Sequence, residues 1–290
     1  MIKQHLYYSP LIKSIPDKVF LKMQYLKTCH ARLNLKDPKR FTEKLQWLKL
    51  YDRNPLYTKL ADKYEVKKIV ADKLGEEHVI PLLGVWDKFD DIDFDQLPDQ
   101  FVLKCTNDSG GYVICKDKGS FDTQAAKEKM EWSRNHNYYY VTREWQYKNI
   151  PYRIIAEPFI ESLGKPESVE YKMTCMNGKF VFGTICTGKA HAEFCERKND
   201  FYDAEFNFLP FYTTYYLNSG KEYEKPKQWE EMIRYSEMLT KDIPTARVDF
   251  YIINEVVIFG EVTFQTWGGF FNFNSIDWDY KWGSTLSLPK

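Results

Sequence analysis

The sequence predicts an α+β fold with mostly antiparallel sheets. Two observations carry this: short β-rich runs come in pairs around tight turns, and helical segments lie between the pairs. Residues 1 to about 58 read as helical. Thr42 precedes EKLQWLKLY, whose Leu45, Leu48 and Tyr51 share one helical face. Asn54-Pro55 is an N-cap with proline at the first helical position. It opens a helix expected to run to about Lys73, before Gly75 stops it. A short segment leads to IPLLGVWD at 80–87 and an acidic stretch, DKFDDIDFDQ, at 87–96.

From Phe101 the pattern changes to strands. FVLKC (101–105) and YVICK (112–116) flank TNDSGG, Asp122 caps the next helix, and RIIAEPFI (153–160) is a further strand. YKMTCM and KFVFGTIC flank Asn177-Gly178, a strong short hairpin signal. A helix from near Pro226 carries Trp229, Met232, Ile233 and Leu239 at helical spacing, with Pro244 just beyond its end. The last hairpin joins ARVDFYII to VVIFGEVTF (256–264) across Asn254-Glu255.

The 290 residues suffice for one large domain or two to three subdomains, and 43% hydrophobic with 28% charged residues is the balance of a globular chain with a core. Lys+Arg and Asp+Glu are 41 each, so there is no global field for nucleic acid or an anionic membrane, only room for local basic patches. Aromatic residues make up 17%; they fill cores or stack on nucleobases and sugars. The opening MIKQHLYYSPLIKSIPDK has neither a signal-peptide core nor the roughly 20-residue apolar run of a membrane span. Cys29, Cys105, Cys115, Cys175, Cys186 and Cys195 form no C-x-x-C pair and have no zinc-finger histidine spacing. A cytoplasmic protein with reduced thiols is expected.

Three stretches carry chemistry. In FVLKC-TNDSGG-YVICK, a strand ending in Lys104 and a loop with Gly110 and Gly111 make a flap whose backbone N–H groups can approach phosphate oxygens. By itself it also reads as an ordinary hairpin whose turn needs glycine. In ARVDFY…FGEVTF, strand alternation puts Arg247, Asp249 and Tyr251 on one face, and Glu261 with Thr263 on one face of the partner. If both rows face one cleft, two carboxylates can share a Mg²⁺ ion beside a guanidinium. The alternative is a surface row of cross-strand charges, which the apolar flanks FYII and VVIF weigh against. In IIAEPFI, Glu157 ends an apolar strand that can serve as an adenine-reading hinge, with Phe159 or Ile160 against the ring, or is simply a strand ending in an acid.

Two further stretches read as solvated loops. Asp91, Asp93 and Asp95 have the D-x-D spacing of a glycosyltransferase metal site, but turn-like residues surround them. Residues 188–203 gather Lys189, His191, Glu193 and Arg197, where an anionic acceptor can bind and His191 can act as a base.

Taken in order, FTEKLQWLKLYDRNPLYTKLADKY, IPLLGVWD, FVLKCTNDSGG, REWQYKN, RIIAEPFI and RVDFY…FGEVTF resemble the TupA-like group of the ATP-grasp superfamily, named for teichuronopeptide biosynthesis and common in bacterial surface-polysaccharide gene sets. The resemblance covers nearly the whole chain. It implies a helical segment at 1–58, an ATP-grasp subdomain with the Gly-rich loop at 59–155, and a second at 156–290 with the adenine hinge and metal site. It implies ATP and Mg²⁺ as cofactors. Lys63 of Asp62-Lys63 and Lys104 would contact phosphate, Asp108, Ser109, Gly110 and Gly111 would form the loop, and Glu157, Phe159 and Ile160 the hinge. Arg247 would stabilise the transferring phosphoryl group, and Asp249 and Glu261 would hold metal. Thr263 stands where many relatives carry Asn, Asn107-Asp108 where many carry His, and no βαβ domain precedes the nucleotide-binding part.

The implied reaction is carboxylate–amine ligation through an acyl phosphate. The family context implies a small-molecule or polysaccharide-precursor carboxylate, such as a sugar acid, and an amino acid or amine as partners. No nucleic acid and no membrane span are expected. A sugar kinase, a glycosyltransferase or an ATP-binding scaffold protein are the alternatives.

Overall fold

The computed structural model of the chain describes residues 6–165, 167–188 and 197–289. Five helices come first: α1 (Pro10–Ser14), α2 (Asp17–Cys29), α3 (Phe41–Tyr51), α4 (Pro55–Ala61) and α5 (Glu65–Leu74). Asn54 accepts from the Leu56 amide and Gly75 closes α5, as the sequence predicts. The single helix expected between them is two. Asp62 interrupts it by turning its carboxylate onto the amides of Tyr64 and Glu65, at 2.8 and 3.4 Å, and so starts a new helix. That break sets Lys63 on a turn.

The first sheet has four antiparallel strands, β1 (Gly84–Trp86), β2 (Phe101–Cys105), β3 (Tyr112–Cys115) and β4 (Ile154–Pro158), in the order β1-β4-β2-β3. Strand β4 spans the 155/156 boundary expected between subdomains. Helices α6 (Thr123–Asn135), capped by Asp122, and α7 (Tyr139–Thr142) lie between β3 and β4 in sequence. Met130 and Ala126 of α6 pack on Phe101, Leu103 and Ile154 of this sheet.

The second sheet comprises β5 (Glu170–Met176), β6 (Lys179–Thr187), β7 (Lys198–Tyr202), β8 (Phe208–Leu209), β9 (Thr245–Ile253) and β10 (Val256–Thr263), ordered β10-β9-β5-β6-β7-β8 and antiparallel throughout. Helix α8 (Trp229–Thr240) starts three residues after Pro226, and its Trp229, Met232 and Leu239 share a core with Met173, Val248 and Phe250 of this sheet. Tyr57, Leu60, Val66 and Val70 bring α4 and α5 into the same core. Helix α9 (Ile276–Thr285) packs with α3 through Trp282, Phe41 and Leu45.

Cys29, Cys105, Cys115 and Cys175 are buried free thiols, behaving as small apolar groups; Cys186 is also buried, and Cys195 lies outside the described residues. No helix among the described residues is long and apolar enough to cross a membrane.

Candidate active site

The second sheet aligns charge across three neighbouring strands. Lys172 of β5 is registered with Asp249 of β9, and Asp249 with Glu261 of β10; Arg247 is likewise registered with Thr263. A bulge between Phe259 and Glu261 sets this register. Both rows expected from the hairpin therefore meet on one face. Arg247 donates to Asp249 from Nε at 2.6 Å and from Nη2 at 2.7 Å, to Thr263 Oγ1 at 3.1 Å and to Glu261 Oε1 at 3.5 Å.

Asp249 is fully buried, and Lys172 supplies a second cation at 2.7 Å while also pairing with Glu170 at 2.6 Å. Burial pushes the Asp249 carboxyl up, against the pull of Arg247 and Lys172. Burial pulls Lys172 down, but Asp249 and Glu170 outweigh it and hold its ammonium above the usual lysine range. Glu261 differs: its side chain is 55% exposed.

The first sheet carries a second cluster. Glu157 of β4 sits between two ammonium groups, a close ion pair with Lys104 of β2 and one at 2.6 Å with Lys67 of α5. Burial pushes the Glu157 carboxyl up, yet the two lysines outweigh it and hold it below the ordinary glutamate value. Lys104 thus meets a carboxylate in this state, and Phe159 and Ile160 follow directly after the strand, both half-buried.

The Gly-rich loop is anchored to α6. Ser133 Oγ bonds Asp108 Oδ2 at 2.5 Å, and the Ser109 amide donates to Asp108 Oδ1 at 2.6 Å. Gly110 adopts φ +97°, which favours glycine, and a Cβ on Gly111 would lie 2.6 Å from Ser133 Oγ and 2.7 Å from Asp108 Oδ2, so a side chain there would displace the Ser133–Asp108 anchor. Lys63 donates to the Asp108 carbonyl. Burial lowers Lys63, whereas the carboxylates of Glu261 and Asp108 raise it and Lys104 lowers it; its ammonium thus lies in the field of both sheets.

A brace not expected from the sequence supports Arg247. Its Nη1 donates to Thr266 at 3.1 Å, at the start of a turn where Trp267, Gly268 and Gly269 all have positive φ. Gln46 holds the Gly268 and Gly269 carbonyls at 3.1 and 2.8 Å, Lys49 also donates to Gly268, and Gln146 bonds Gln265 at 3.0 Å. EKLQWLKLY and REWQYKN thus converge on the turn that positions Thr266. Lys67, Lys172 and Glu170 were also missed. The only sequence signals for them were the four-residue step from Lys63 to Lys67 and the period-two step from Glu170 to Lys172.

Asp91, Asp93 and Asp95 are exposed; Asp93 accepts from the Asp95 amide at 3.1 Å, as a solvated loop would. Lys189, His191 and Glu193 lie outside the described residues, while Arg197 reaches Tyr216 at 3.5 Å. Among the described residues no three His, Cys, Asp or Glu side chains group as a metal cage. Mg²⁺ needs less than a cage, because one or two carboxylates plus phosphate oxygens suffice. Glu261, half open beside buried Asp249 and the Thr263 hydroxyl, fits that requirement.

The TupA-like ATPgrasp family model matches residues 43–287. No curated protein matches the chain. Among solved structures, D-alanine–D-alanine ligase from Bacillus anthracis complexed with ATP is 18% identical, with 70% of this chain and 54% of that chain covered and a TM-score of 0.40. The D-alanine–D-alanine ligase from Helicobacter pylori is 16% identical, covering 86% and 70%, with a TM-score of 0.42. An ADP complex of N5-carboxyaminoimidazole ribonucleotide synthetase is 12% identical, covering 77% and 50%, with a TM-score of 0.44. The chain spans about half the length of the first and third of these proteins.

Proposed function

The chain belongs to the TupA-like ATP-grasp family, and from that premise we propose that it is an ATP- and Mg²⁺-dependent carboxylate–amine ligase. Its substrates are a sugar acid and an amino acid or small amine, and its setting is cytoplasmic synthesis of bacterial surface, capsular polysaccharide. The observation that carries this reading is the aligned row Lys172–Asp249–Glu261 with Arg247 across it. Such a row offers fixed cations to a phosphoryl group and one half-open carboxylate to a metal.

In this reading Lys63 and Lys104 bind the phosphate chain, with Asp108, Ser109, Gly110 and Gly111 closing over it and excluding water. Glu157, Phe159 and Ile160 line the adenine. Lys104 exchanges Glu157 for phosphate, and Lys67 keeps Glu157 neutralised when it does. Asp249, Glu261 and Thr263 would hold Mg²⁺, which when bound neutralises phosphate charge. Arg247, pinned by Asp249 and Thr266, faces charge developing on the transferring phosphoryl group.

A carboxylate oxygen attacks the γ-phosphorus, and the bond to ADP breaks. The amine then attacks the acyl carbon, loses a proton and expels phosphate, leaving an amide. Incubation with ATP and a panel of sugar acids and amines, read by product mass, tests this. A new amide without phosphorus supports it; a stable phosphorylated sugar means a kinase, and no substrate-dependent ADP means a scaffold.

A further inference from the structure

Helix α2 has two apolar faces. Phe20, Leu21, Tyr25 and Cys29 point inward and join a core with Leu33, Leu35 and Phe270. Val19, Met23 and Leu26 form a second stripe at helical spacing, and it is 48%, 57% and 56% exposed. Lys18 and Lys22 border this stripe on one side and Lys27 on the other, all three exposed. The four most exposed large apolar residues among those described, Leu11 at 76%, Leu6 at 65%, Met23 and Leu26, all lie in this one region.

Charge is segregated here too. In a chain with 41 basic and 41 acidic residues, positions 6–36 hold six Lys or Arg and the single acid Asp17. Asp17 is already engaged, by Tyr139 at 2.5 Å, Arg143 at 3.5 Å and Arg53 at 3.7 Å. Water penalises such a stripe. A surface that offers hydrocarbon beneath negative headgroups matches both of its parts, because lysine stems can lie along the apolar zone while their ammonium groups reach the headgroups.

We propose that the outward face of α2 docks on an anionic lipid surface, with Val19, Met23 and Leu26 entering the headgroup boundary and Lys18, Lys22 and Lys27 meeting the headgroups. The basic border on both flanks favours a lipid plane over a protein groove or a second copy of the chain. This docking is independent of the ligation reading. It adds peripheral binding, not a membrane span.

Sedimentation of the full chain with phosphatidylcholine vesicles, with and without phosphatidylglycerol, tests it. The protein should sediment with the anionic vesicles only, and binding should be lost near 1 M salt, where screening acts within about 3 Å. The triple variant Val19→Glu, Met23→Glu, Leu26→Glu should bind at least about tenfold more weakly, as should Lys18→Gln, Lys22→Gln, Lys27→Gln. Leu217→Glu, at another exposed apolar residue, should change nothing. Circular dichroism and thermal midpoints check folding, and if the glutamate triple misfolds the glutamine triple decides. Failure to sediment, equal binding to neutral vesicles, or unchanged binding by the triple variants overturns the proposal. So does a dimer that the glutamate triple abolishes, if vesicle binding is absent.

Discussion

Arg247 holds Asp249 in a two-pronged grip, Nε to Oδ1 at 2.6 Å and Nη2 to Oδ2 at 2.7 Å. The residues are two apart on one strand, so their side chains share a face, and Lys172 closes on the same carboxylate from the next strand at 2.7 Å. Asp249 has no exposed surface, whereas the Glu261 side chain is 55% exposed. Two carboxylates assigned to one metal therefore differ in what else they do.

Asp249→Asn should cost stability as well as activity. Removing one charge from a buried ion cluster costs up to about 3–5 kcal/mol, because Arg247 loses its two-pronged partner and Lys172 keeps only Glu170. Glu261→Gln should stay within about 0.5 kcal/mol of the parent, as exposed substitutions do. It should nevertheless cut turnover by orders of magnitude and raise the Mg²⁺ requirement. Denaturant titration beside steady-state assays over a Mg²⁺ series measures both; full turnover by Glu261→Gln at low Mg²⁺ would remove Glu261 from the metal site.

Lys104→Ala should weaken ATP binding by about tenfold or more, since a charged hydrogen bond contributes about 1.5–3 kcal/mol. The fold should persist, because Lys67 still faces Glu157 at 2.6 Å. Calorimetry of ATP binding to the folded variant checks this, and unchanged affinity excludes Lys104 from the phosphate site.

Glu157 gives a pH dependence of defined sign. Its carboxyl is held below the ordinary glutamate value, with burial opposing and Lys104 and Lys67 prevailing. The folded state therefore binds this proton less readily than the unfolded chain. The stability it contributes is fully present above the unfolded glutamate value, about 4.3, and is lost as pH falls through the lower folded value. Glu157→Gln should be less stable than the parent at pH 7, with the gap closing below about pH 4 in parallel denaturation curves. A gap that widens on acidification would contradict this.

Asp91→Asn and Asp93→Asn should be silent in stability and activity, because both side chains are exposed and Asp93 only caps a turn through the Asp95 amide. Loss of activity in these variants, with Glu261→Gln active, would favour a glycosyltransferase.

What was legible in the sequence follows locality. Arg247, Asp249, Glu261 and Thr263 meet because one tight turn at Asn254-Glu255 folds their strands together, and alternation places them on one face. Lys172 reaches Asp249 only through the β5–β9 pairing, 77 residues apart in sequence, and Lys67 reaches Glu157 only when α5 packs near β4. No local pattern encodes either contact. Asp62 shows the opposite failure: a continuous helical pattern hid a carboxylate that caps the next two residues' helix instead. Thr266 was invisible because its turn depends on Gln46 and Lys49, which lie more than 200 residues away in sequence from Gly268.

The acyl phosphate is the central claim, and hydroxylamine trapping tests it most directly. The protein is incubated with ATP, Mg²⁺ and a sugar acid that supports ADP release, with hydroxylamine in place of the amine. Ligation predicts a hydroxamate of that acid, formed in step with ADP and free phosphate and absent in Arg247→Ala. A stable phosphorylated sugar, with ADP but neither free phosphate nor hydroxamate, would contradict it.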